Sequence, residues 1–229
     1  MKIGIMQPYF LPYIGYWQLI NVVDKFVIYD DVNYINKGWI NRNNIMLNKQ
    51  QFRFTLNLLG ASPNKLINEI AVSENQDKLI KTIEIAYKKA HYFDKIFPLI
   101  KKIFQYDDKN LARFIGISIM EIANYIGVKT EFIYSSEIEK NNSLKGQEKI
   151  LEICRILKAN EYYNLIGGMK LYDKKDFEGN NVKLRFLKAQ TMEYNQFNNI
   201  FIPNLSILDI MMFNSTEEIN TMLDSHTFL

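Results

Sequence analysis

The sequence predicts an α/β fold in which a mainly parallel, Rossmann-like sheet begins at the first residues. Two short apolar runs, Lys2–Met6 and Lys25–Tyr29, have the composition of buried strands, and Tyr13–Val23 between them has apolar residues at helical spacing. A strand, a helix and a second strand in this order form a βαβ unit. Because the crossover of such a unit is right-handed, we expect the carboxyl ends of both strands at one edge of a parallel sheet.

Length and composition are those of an ordinary globular protein. The chain has 229 residues, of which 48% are hydrophobic and 23% are charged, and these values suit one large domain. We expect a single domain over residues 1–229, with a helical block at about 77–126 packed on it. The net charge of +3 does not indicate a nucleic-acid-binding protein.

Composition also disfavours several kinds of site and location. No segment approaches the roughly 20 apolar residues of a membrane span, and Gln7 and Pro8 end the first apolar run too early for a signal peptide. We therefore expect a cytoplasmic protein without an integral membrane segment. One cysteine, Cys154, and two histidines, His91 and His226, cannot form a Cys/His zinc site, and no metal is predicted.

The rest of the chain alternates between strand and helix patterns. Asn33–Asn44 predicts a loop or hairpin, and the alternation of Gln51–Leu58 predicts a half-buried strand. Gly127 is the predicted C-cap of the last helix in the helical block. The remaining predicted strands are Ile67–Val72, Lys129–Tyr134, Glu161–Ile166 and Val182–Leu187, and the remaining helices are Asp77–Lys89, His91–Tyr106, Asn110–Ile126, Gly146–Leu157, Ser206–Phe213 and Thr216–Leu223.

The first strand runs directly into a loop that is dense in proline, tyrosine and amide groups. Pro8 fixes the backbone at low entropy cost, and Tyr9 and Tyr13 offer flat apolar faces that carry hydroxyls. Gln7 offers both a donor and an acceptor. The loop therefore favours a cradle for a sugar or a base at the carboxyl edge of the sheet. The alternative is a rigid turn whose tyrosines fill a core.

Two carboxylates, Asp30 and Asp31, follow the second strand at the same predicted edge. Adjacent residues of an extended chain point in opposite directions, so we expect at most one of them to face a ligand. That aspartate would act as a general base, bind a sugar hydroxyl or hold Mg²⁺. The alternative is an aspartate that caps a turn or a helix.

A cation, an aromatic ring, an amide and a guanidinium group lie close together in Lys37–Arg42. Arginine binds phosphate through two parallel hydrogen bonds, which favours Arg42 as a phosphate ligand. Trp39 would stack on a ring, and Asn41 and Lys37 would add polar contacts. The alternative is a solvated hairpin in which Trp39 is a hydrophobic plug.

Two later segments are weaker candidates. The pair Gly167-Gly168, followed by Tyr172, would let the backbone approach a ligand closely, although the glycine pair taken alone favours a plain turn. Ser206 and Asp209 are spaced as in a capping box with aspartate in place of glutamate. The functional alternative aims both side chains at the same cleft.

Taken together and in order, these motifs resemble the WbqC-like protein family. The resemblance covers nearly the whole chain, and its opening motif is specific. It departs at Ser215, where the family pattern has glycine, and at His91, where it has proline. The matching segments are Gly4–Phe10, Pro12–Tyr16, Asp24–Val32, Trp39–Asn43, Gly167–Tyr172 and Phe201–Asp209.

The resemblance implies a role in the assembly of O-antigen or other bacterial surface glycans. It also implies a transferase that moves glycine or another acyl group to the amine of a nucleotide-linked sugar. In this hypothesis Tyr9, Tyr13 and Trp39 frame the nucleotide sugar, which is the expected partner. Arg42 meets its diphosphate, and Asp30 or Asp31 takes a proton from the attacking amine. No cofactor is evident other than an activated acyl or aminoacyl donor, and the oligomeric state is not indicated.

A second likeness concerns the fold. Pro12-Tyr13-Ile14-Gly15-Tyr16 looks like the Pro-x-His-x-Gly-His element of nucleotidylyltransferases, with Tyr13 and Tyr16 at the histidine positions beside a nucleotide phosphate. Tyrosine has a pKa near 10 and does not become a cation, so standard adenylyl transfer is not implied. Two alternatives stay open: a nucleotidyl- or adenylate-forming enzyme of this fold, and a non-catalytic sugar-nucleotide-binding protein of a glycan assembly complex.

Overall fold

The computed structural model describes residues 1–197 and 200–229. The strands are β1 (Lys2–Met6), β2 (Lys25–Ile28), β3 (Arg42–Leu47), β4 (Gln50–Thr55), β5 (Leu58–Leu59), β6 (Ala71–Val72), β7 (Glu131–Tyr134), β8 (Glu161–Leu165), β9 (Lys183–Ala189) and β10 (His226–Phe228). The helices are α1 (Ile14–Asn21), α2 (Asp77–Tyr87), α3 (Phe93–Phe104), α4 (Leu111–Ile126), α5 (Gly146–Ile156), α6 (Lys174–Gly179), α7 (Ile207–Phe213) and α8 (Thr216–Leu223).

The central sheet has six strands in the order β10-β9-β8-β1-β2-β7. All neighbours are parallel except β10, which pairs antiparallel with β9. The five parallel strands therefore have the spatial order 3-2-1-4-5, counted along the chain, as in a Rossmann-like fold. This confirms the predicted fold class and the opening βαβ unit. The strand order reverses between β1 and β8, and this switch point is where ligands bind in open α/β sheets.

Helices cover both faces of the sheet, and alternating side chains of each strand pack on opposite sides. Ile3 and Ile5 of β1 belong to one core together with residues of α5 and α6. Phe26 and Ile28 of β2 belong to the other core, which also contains residues of α1, α4, α7 and α8. Burial on both faces explains why the parallel strands read as nearly continuous apolar runs.

Several element boundaries differ from the sequence prediction. Ile67–Val72, predicted as one strand, is a 3₁₀ turn at Ile67–Glu69 followed by the two-residue strand β6. In the predicted half-buried strand, Phe54 is buried but Phe52 is 41% exposed, because β4 pairs only with β3 and stands outside the central sheet. Strand β10 and helix α6 were not predicted, since each is short and mostly polar.

Two predicted caps are present. Gly127 ends α4 in the left-handed conformation with φ 80°, which glycine adopts without steric cost. Ser206 is the N-cap of α7, and its Oγ accepts a hydrogen bond from the backbone of Leu208. Within the described residues, no helix combines the length and the apolar character that a bilayer span requires.

Candidate functional site

A cavity of about 580 Å³ opens at the carboxyl ends of the strands on either side of the switch point. Met6 ends β1 and Gln7 follows it, while Leu165 ends β8 and Ile166 follows it. The amino end of α5 closes the cavity from the other side. We call this space the switch-point cavity. Its lining includes Ile5, Met6, Gln7, Tyr13, Tyr29, Ile35, Gly146, Gln147, Ile150, Asn164, Leu165, Gly167, Gly168, Leu171, Tyr172, Leu187 and Ala189.

Three polar side chains of the cavity have no hydrogen-bond partner within the described chain: Gln7, Tyr13 and Tyr29. Each is only partly exposed. Burial raises the pKa of the Tyr13 phenol and of the Tyr29 phenol, so both are neutral donors and acceptors at physiological pH. A partly buried site with unused donors and acceptors above an apolar floor is typical of a small-molecule pocket.

The ring of Tyr13 can occupy its place in the cavity wall because Gly15 has no side chain that would displace it. A Cβ atom added at Gly15 would lie 2.6 Å from Cε2 of Tyr13 and 2.8 Å from Cβ of Ala189. The first turn of α1, the Tyr13 ring and strand β9 therefore meet at a point where only glycine fits. Tyr13 itself is the extended N-cap residue of α1, with φ −71° and ψ 167°.

On the far side of the switch point, Asn164 organises the cavity wall. Its Nδ2 donates to the hydroxyls of Tyr162 at 2.7 Å and Tyr172 at 3.3 Å, and its Oδ1 accepts from the backbone N–H of Leu165 at 2.7 Å. A Cβ at Gly168 would lie 3.0 Å from Oδ1 of Asn164, whereas Gly167 faces open space. The glycine pair thus lines the cavity, and a side chain at Gly168 would press on Asn164.

Sequence reasoning did not identify Asn164 or Gln147. A polar residue inside the buried run before a glycine pair was the available signal for Asn164. Gln147 lies in the first turn of α5, where its Nε2 donates to Asp176 at 2.6 Å and its Oε1 accepts from the backbone of Asp173 at 2.6 Å. Gly146 and Gln147, at the amino end of α5, line the cavity, and such helix ends favour anions.

Asp30 is a structural carboxylate. It is 1% exposed, and it accepts hydrogen bonds from the backbone N–H of Ser136 at 2.9 Å and from the Ser136 hydroxyl at 2.6 Å. These bonds hold the 3₁₀ turn Ser135–Glu137 against the end of β2. Asp30 lies outside the cavity lining, and its placement favours the capping alternative over a general base.

Asp31 is paired with two buried lysines. Its Oδ2 lies 2.7 Å from Nζ of Lys140 and 3.1 Å from Nζ of Lys149, whose side chains are 1% and 6% exposed. Burial alone would raise the pKa of Asp31, but the contacts with Lys140 and Lys149 outweigh it and hold the pKa below its ordinary value. Lys149 also lies over the ring of Tyr29, 5.3 Å from its centre. Asp31 thus supports the wall behind Tyr29 and is not in the lining.

An apolar passage of about 390 Å³ adjoins the cavity and shares Gln7, Tyr13 and Leu165 with it. Pro8 also lines the passage. The ring of Tyr9 lies there with its centre 6.0 Å from that of Tyr16 and 6.2 Å from that of Trp39. Tyr16 is buried, and its hydroxyl donates to the backbone oxygen of Gln7 at 2.9 Å. Tyr16 therefore fixes the loop and has no hydroxyl available for a phosphate.

The segment from Lys37 to Arg42 divides between the passage and the hairpin. Only Gly38, Trp39 and Ile40 line the passage. Asn41 accepts from the Tyr34 hydroxyl and donates to the backbone of Leu56, both at 2.9 Å, so its amide is used structurally. Lys37 is exposed, with φ 59°. Arg42 starts β3 and lies outside the lining of the cavity and passage.

Ser206 and Asp209 lie in the core rather than in the cavity. The Ser206 hydroxyl donates to the backbone oxygen of Leu11 at 2.7 Å, in addition to capping α7. Asp209 accepts from the hydroxyls of Tyr87 at 2.6 Å and Tyr194 at 2.7 Å, and burial raises the pKa of its carboxyl group. These contacts join α7 to α2 and give both residues structural roles.

Comparisons with known proteins identify the family of this chain. The chain is 25% identical over 215 residues to Rv1507c of Mycobacterium tuberculosis, described as an uncharacterized protein, and the match covers 92% of each chain. No solved structure matches the chain. A family model described as the WbqC-like protein family matches residues 7–221, and the chain therefore belongs to the WbqC-like protein family.

Proposed function

We propose that the protein binds a nucleotide-linked amino sugar at the switch-point cavity and acylates its amine during the assembly of a surface glycan. The observation that carries the proposal is the cavity itself. It lies where the order of the parallel strands reverses, and three of its polar side chains make no hydrogen bond within the described residues. Sheets with this strand order bind nucleotides at this position, and family membership favours a role in glycan assembly.

The lining is suited to the nucleoside part of the ligand. Ile150, Leu165 and Leu171 offer apolar surface for a base, and the Gln7 amide can pair with a base edge or a ribose hydroxyl. Phosphates would lie towards the amino end of α5 at Gly146. Two lysines share the single carboxylate of Asp31 behind Tyr29.

The acyl transfer forms a C–N bond between the sugar amine and the acyl carbon, while the donor's leaving group departs with the electron pair of its bond. Tyr13 lines both the cavity and the passage, and its neutral phenol would donate a hydrogen bond to the oxyanion that develops on the acyl oxygen. Since Asp30 and Asp31 lie outside the lining, the proposal gives Asp31 the task of holding Lys149. The amine proton passes to the leaving group or to solvent.

Filling the cavity tests the proposal. A side chain at Gly167 would enter open space and would not clash with the protein, so Gly167→Leu should leave the fold intact. We expect it to weaken binding of UDP- or dTDP-linked amino sugars by about tenfold or more, equivalent to roughly 1.4 kcal/mol. Isothermal titration calorimetry measures this effect.

Gly179→Leu is the matched control, because Gly179 also faces open space and lies outside the cavity. The control should bind like the unmodified protein. Equal affinities in all three proteins, or no binding of any UDP- or dTDP-amino sugar by the unmodified protein, would contradict the proposal.

A nucleotidyl-transferring enzyme is the second candidate, favoured by the 3-2-1-4-5 strand order and by the start of α1 immediately after the loop from β1. The hydroxyl of Tyr16 is bound to Gln7, so one of the two positions occupied by histidines in that motif has no group for a phosphate. Release of pyrophosphate from ATP and Mg²⁺ would favour this candidate over acyl transfer. Tight binding without any turnover would favour the non-catalytic alternative.

A further inference from the structure

A second cavity, of about 470 Å³, adjoins the passage beyond Tyr9 and Tyr13. Its aromatic lining consists of Tyr9, Tyr13 and Trp39. The remaining lining residues are all amides: Asn43, Asn44, Gln51 and Asn204. We call this space the amide pocket. It shares Tyr13 with the switch-point cavity, so groups bound in the two spaces would be neighbours.

We propose that the amide pocket is a sugar subsite, which binds the pyranose ring of a hexosamine. This inference rests on the proposed function for the identity of the ligand class, but it has its own structural basis. Aromatic rings offer flat apolar faces to the C–H groups of a sugar. Amide groups can both donate to and accept from sugar hydroxyls. The pocket combines these two chemistries, and none of its lining residues is charged.

Asn44 provides the strongest argument that this pocket is built for a polar ligand. The residue is 5% exposed, and its Oδ1 accepts from Nε of Arg53 at 3.5 Å. Because the guanidinium group can only donate, this contact fixes the amide orientation and leaves Nδ2 as the remaining donor. Nδ2 has no partner within the described chain. Nδ2 keeps some solvent exposure at the pocket that Asn44 lines, and a sugar hydroxyl bound there would accept a hydrogen bond from it.

The other amides divide into a fixed wall and adjustable contacts. Asn43 donates to the backbone oxygen of Leu11 and accepts from the backbone N–H of Asn44, so it shapes the wall. Gln51 is exposed on β4 and makes no side-chain hydrogen bond within the described residues. Asn204 uses its Oδ1 to accept from Thr191 at 3.4 Å, which leaves its amide nitrogen for a ligand.

The rim carries both a charge and a natural reporter. The guanidinium group of Arg53 lies 5.3 Å from the centre of the Trp39 ring, where it can meet a sugar oxygen or an anionic substituent. Trp39 is 49% exposed, whereas Trp17 is fully buried, and the chain has two tryptophans. A ligand in the amide pocket should therefore change the emission of Trp39 and leave that of Trp17 unchanged.

The test is a fluorescence titration of the full-length protein with free glucosamine, N-acetylglucosamine and N-acetylgalactosamine, with UDP titrated separately by calorimetry. We expect a saturable change with at least one sugar, lost in Trp39→Phe. Gln51→Ala should weaken the affinity by about fivefold, the effect of one typical hydrogen bond. Gln50→Ala is the matched control, because Gln50 is the exposed neighbour on β4 and lies outside the pocket.

The outcomes separate this inference from the proposed function. No saturable change with any of the three sugars up to roughly 50 mM, far above the millimolar affinity that a few contacts support, would overturn the sugar subsite. Equal weakening by Gln50→Ala and Gln51→Ala would also overturn it. Sugar binding without UDP binding would support the subsite and count against the nucleotide cavity, whereas UDP binding without sugar binding would do the reverse.

Discussion

Replacing Asp31 with alanine is expected to lower the free energy of unfolding by about 3–5 kcal/mol, the cost of removing one partner from a buried ion pair. The physical reason is that Lys140 and Lys149, 1% and 6% exposed, would both lose their carboxylate. Asp31→Asn should be intermediate, because it keeps the shape and one acceptor oxygen but removes the charge. Urea unfolding followed by circular dichroism measures the effect.

Glu131→Ala is the control for this variant. Glu131 forms an ion pair with Lys25 at 2.8 Å, but its side chain is 64% exposed, and exposed pairs contribute at most about 1 kcal/mol. A loss below about 1 kcal/mol for Asp31→Ala would contradict the structural role assigned to this carboxylate.

The same ion pairs predict a pH dependence. Since the folded state holds the pKa of Asp31 below its ordinary value of 3.8, the carboxylate contributes stability above that pH. The contribution is lost as the pH falls from the ordinary value through the lower folded-state value. The difference in unfolding free energy between the unmodified protein and Asp31→Ala should therefore be constant near neutrality and narrow in acid.

The second large effect is expected for Gly15→Ala. The added Cβ would lie 2.6 Å from the Tyr13 ring and 2.8 Å from Ala189, so the ring must leave its place in the cavity wall. Overpacking of this kind costs about 1–3 kcal/mol of stability. We expect a further consequence for function, which is a loss of nucleotide-sugar affinity of about tenfold, since the Tyr13 hydroxyl and ring face would no longer meet the ligand.

Calorimetry on folded Gly15→Ala, beside Tyr13→Phe, separates the two effects. Tyr13→Phe keeps the ring and removes the hydroxyl, so it should lose less affinity than Gly15→Ala. Unchanged affinity in Gly15→Ala, with the stability loss present, would remove Tyr13 from the binding site.

Local patterns were sufficient to predict the frame of the site. The apolar runs of β1 and β2 are interrupted by residues that cannot continue a buried strand, and a right-handed crossover then fixes the shared carboxyl edge. For this reason Gln7 and Tyr13 were predicted at the edge where the cavity lies. The glycine pair at Gly167 was a weaker prediction from the sequence, because a turn explains two glycines as simply as a cavity wall does.

Long-range pairing explains most of what the sequence could not reveal. Asp31 looks like a candidate base until Lys140 and Lys149, more than one hundred residues later, are brought against it. The choice between Arg42 and Arg53 depends on the register of the β3–β4 hairpin, in which Arg53 pairs with Asn44. That register places Arg53 beside Trp39 at the amide pocket. It leaves Arg42, which the sequence favoured as a phosphate ligand, outside the cavities.

The position of a bound nucleotide tests the central claim most directly. In a crystal structure of the complex with a UDP- or dTDP-linked amino sugar, we expect the nucleotide between the carboxyl ends of β1 and β8. Gln7 and Tyr13 should lie within hydrogen-bonding distance of the ligand, and its phosphates should face the amino end of α5 at Gly146. A nucleotide bound elsewhere, with the switch-point cavity holding only water, would contradict the account.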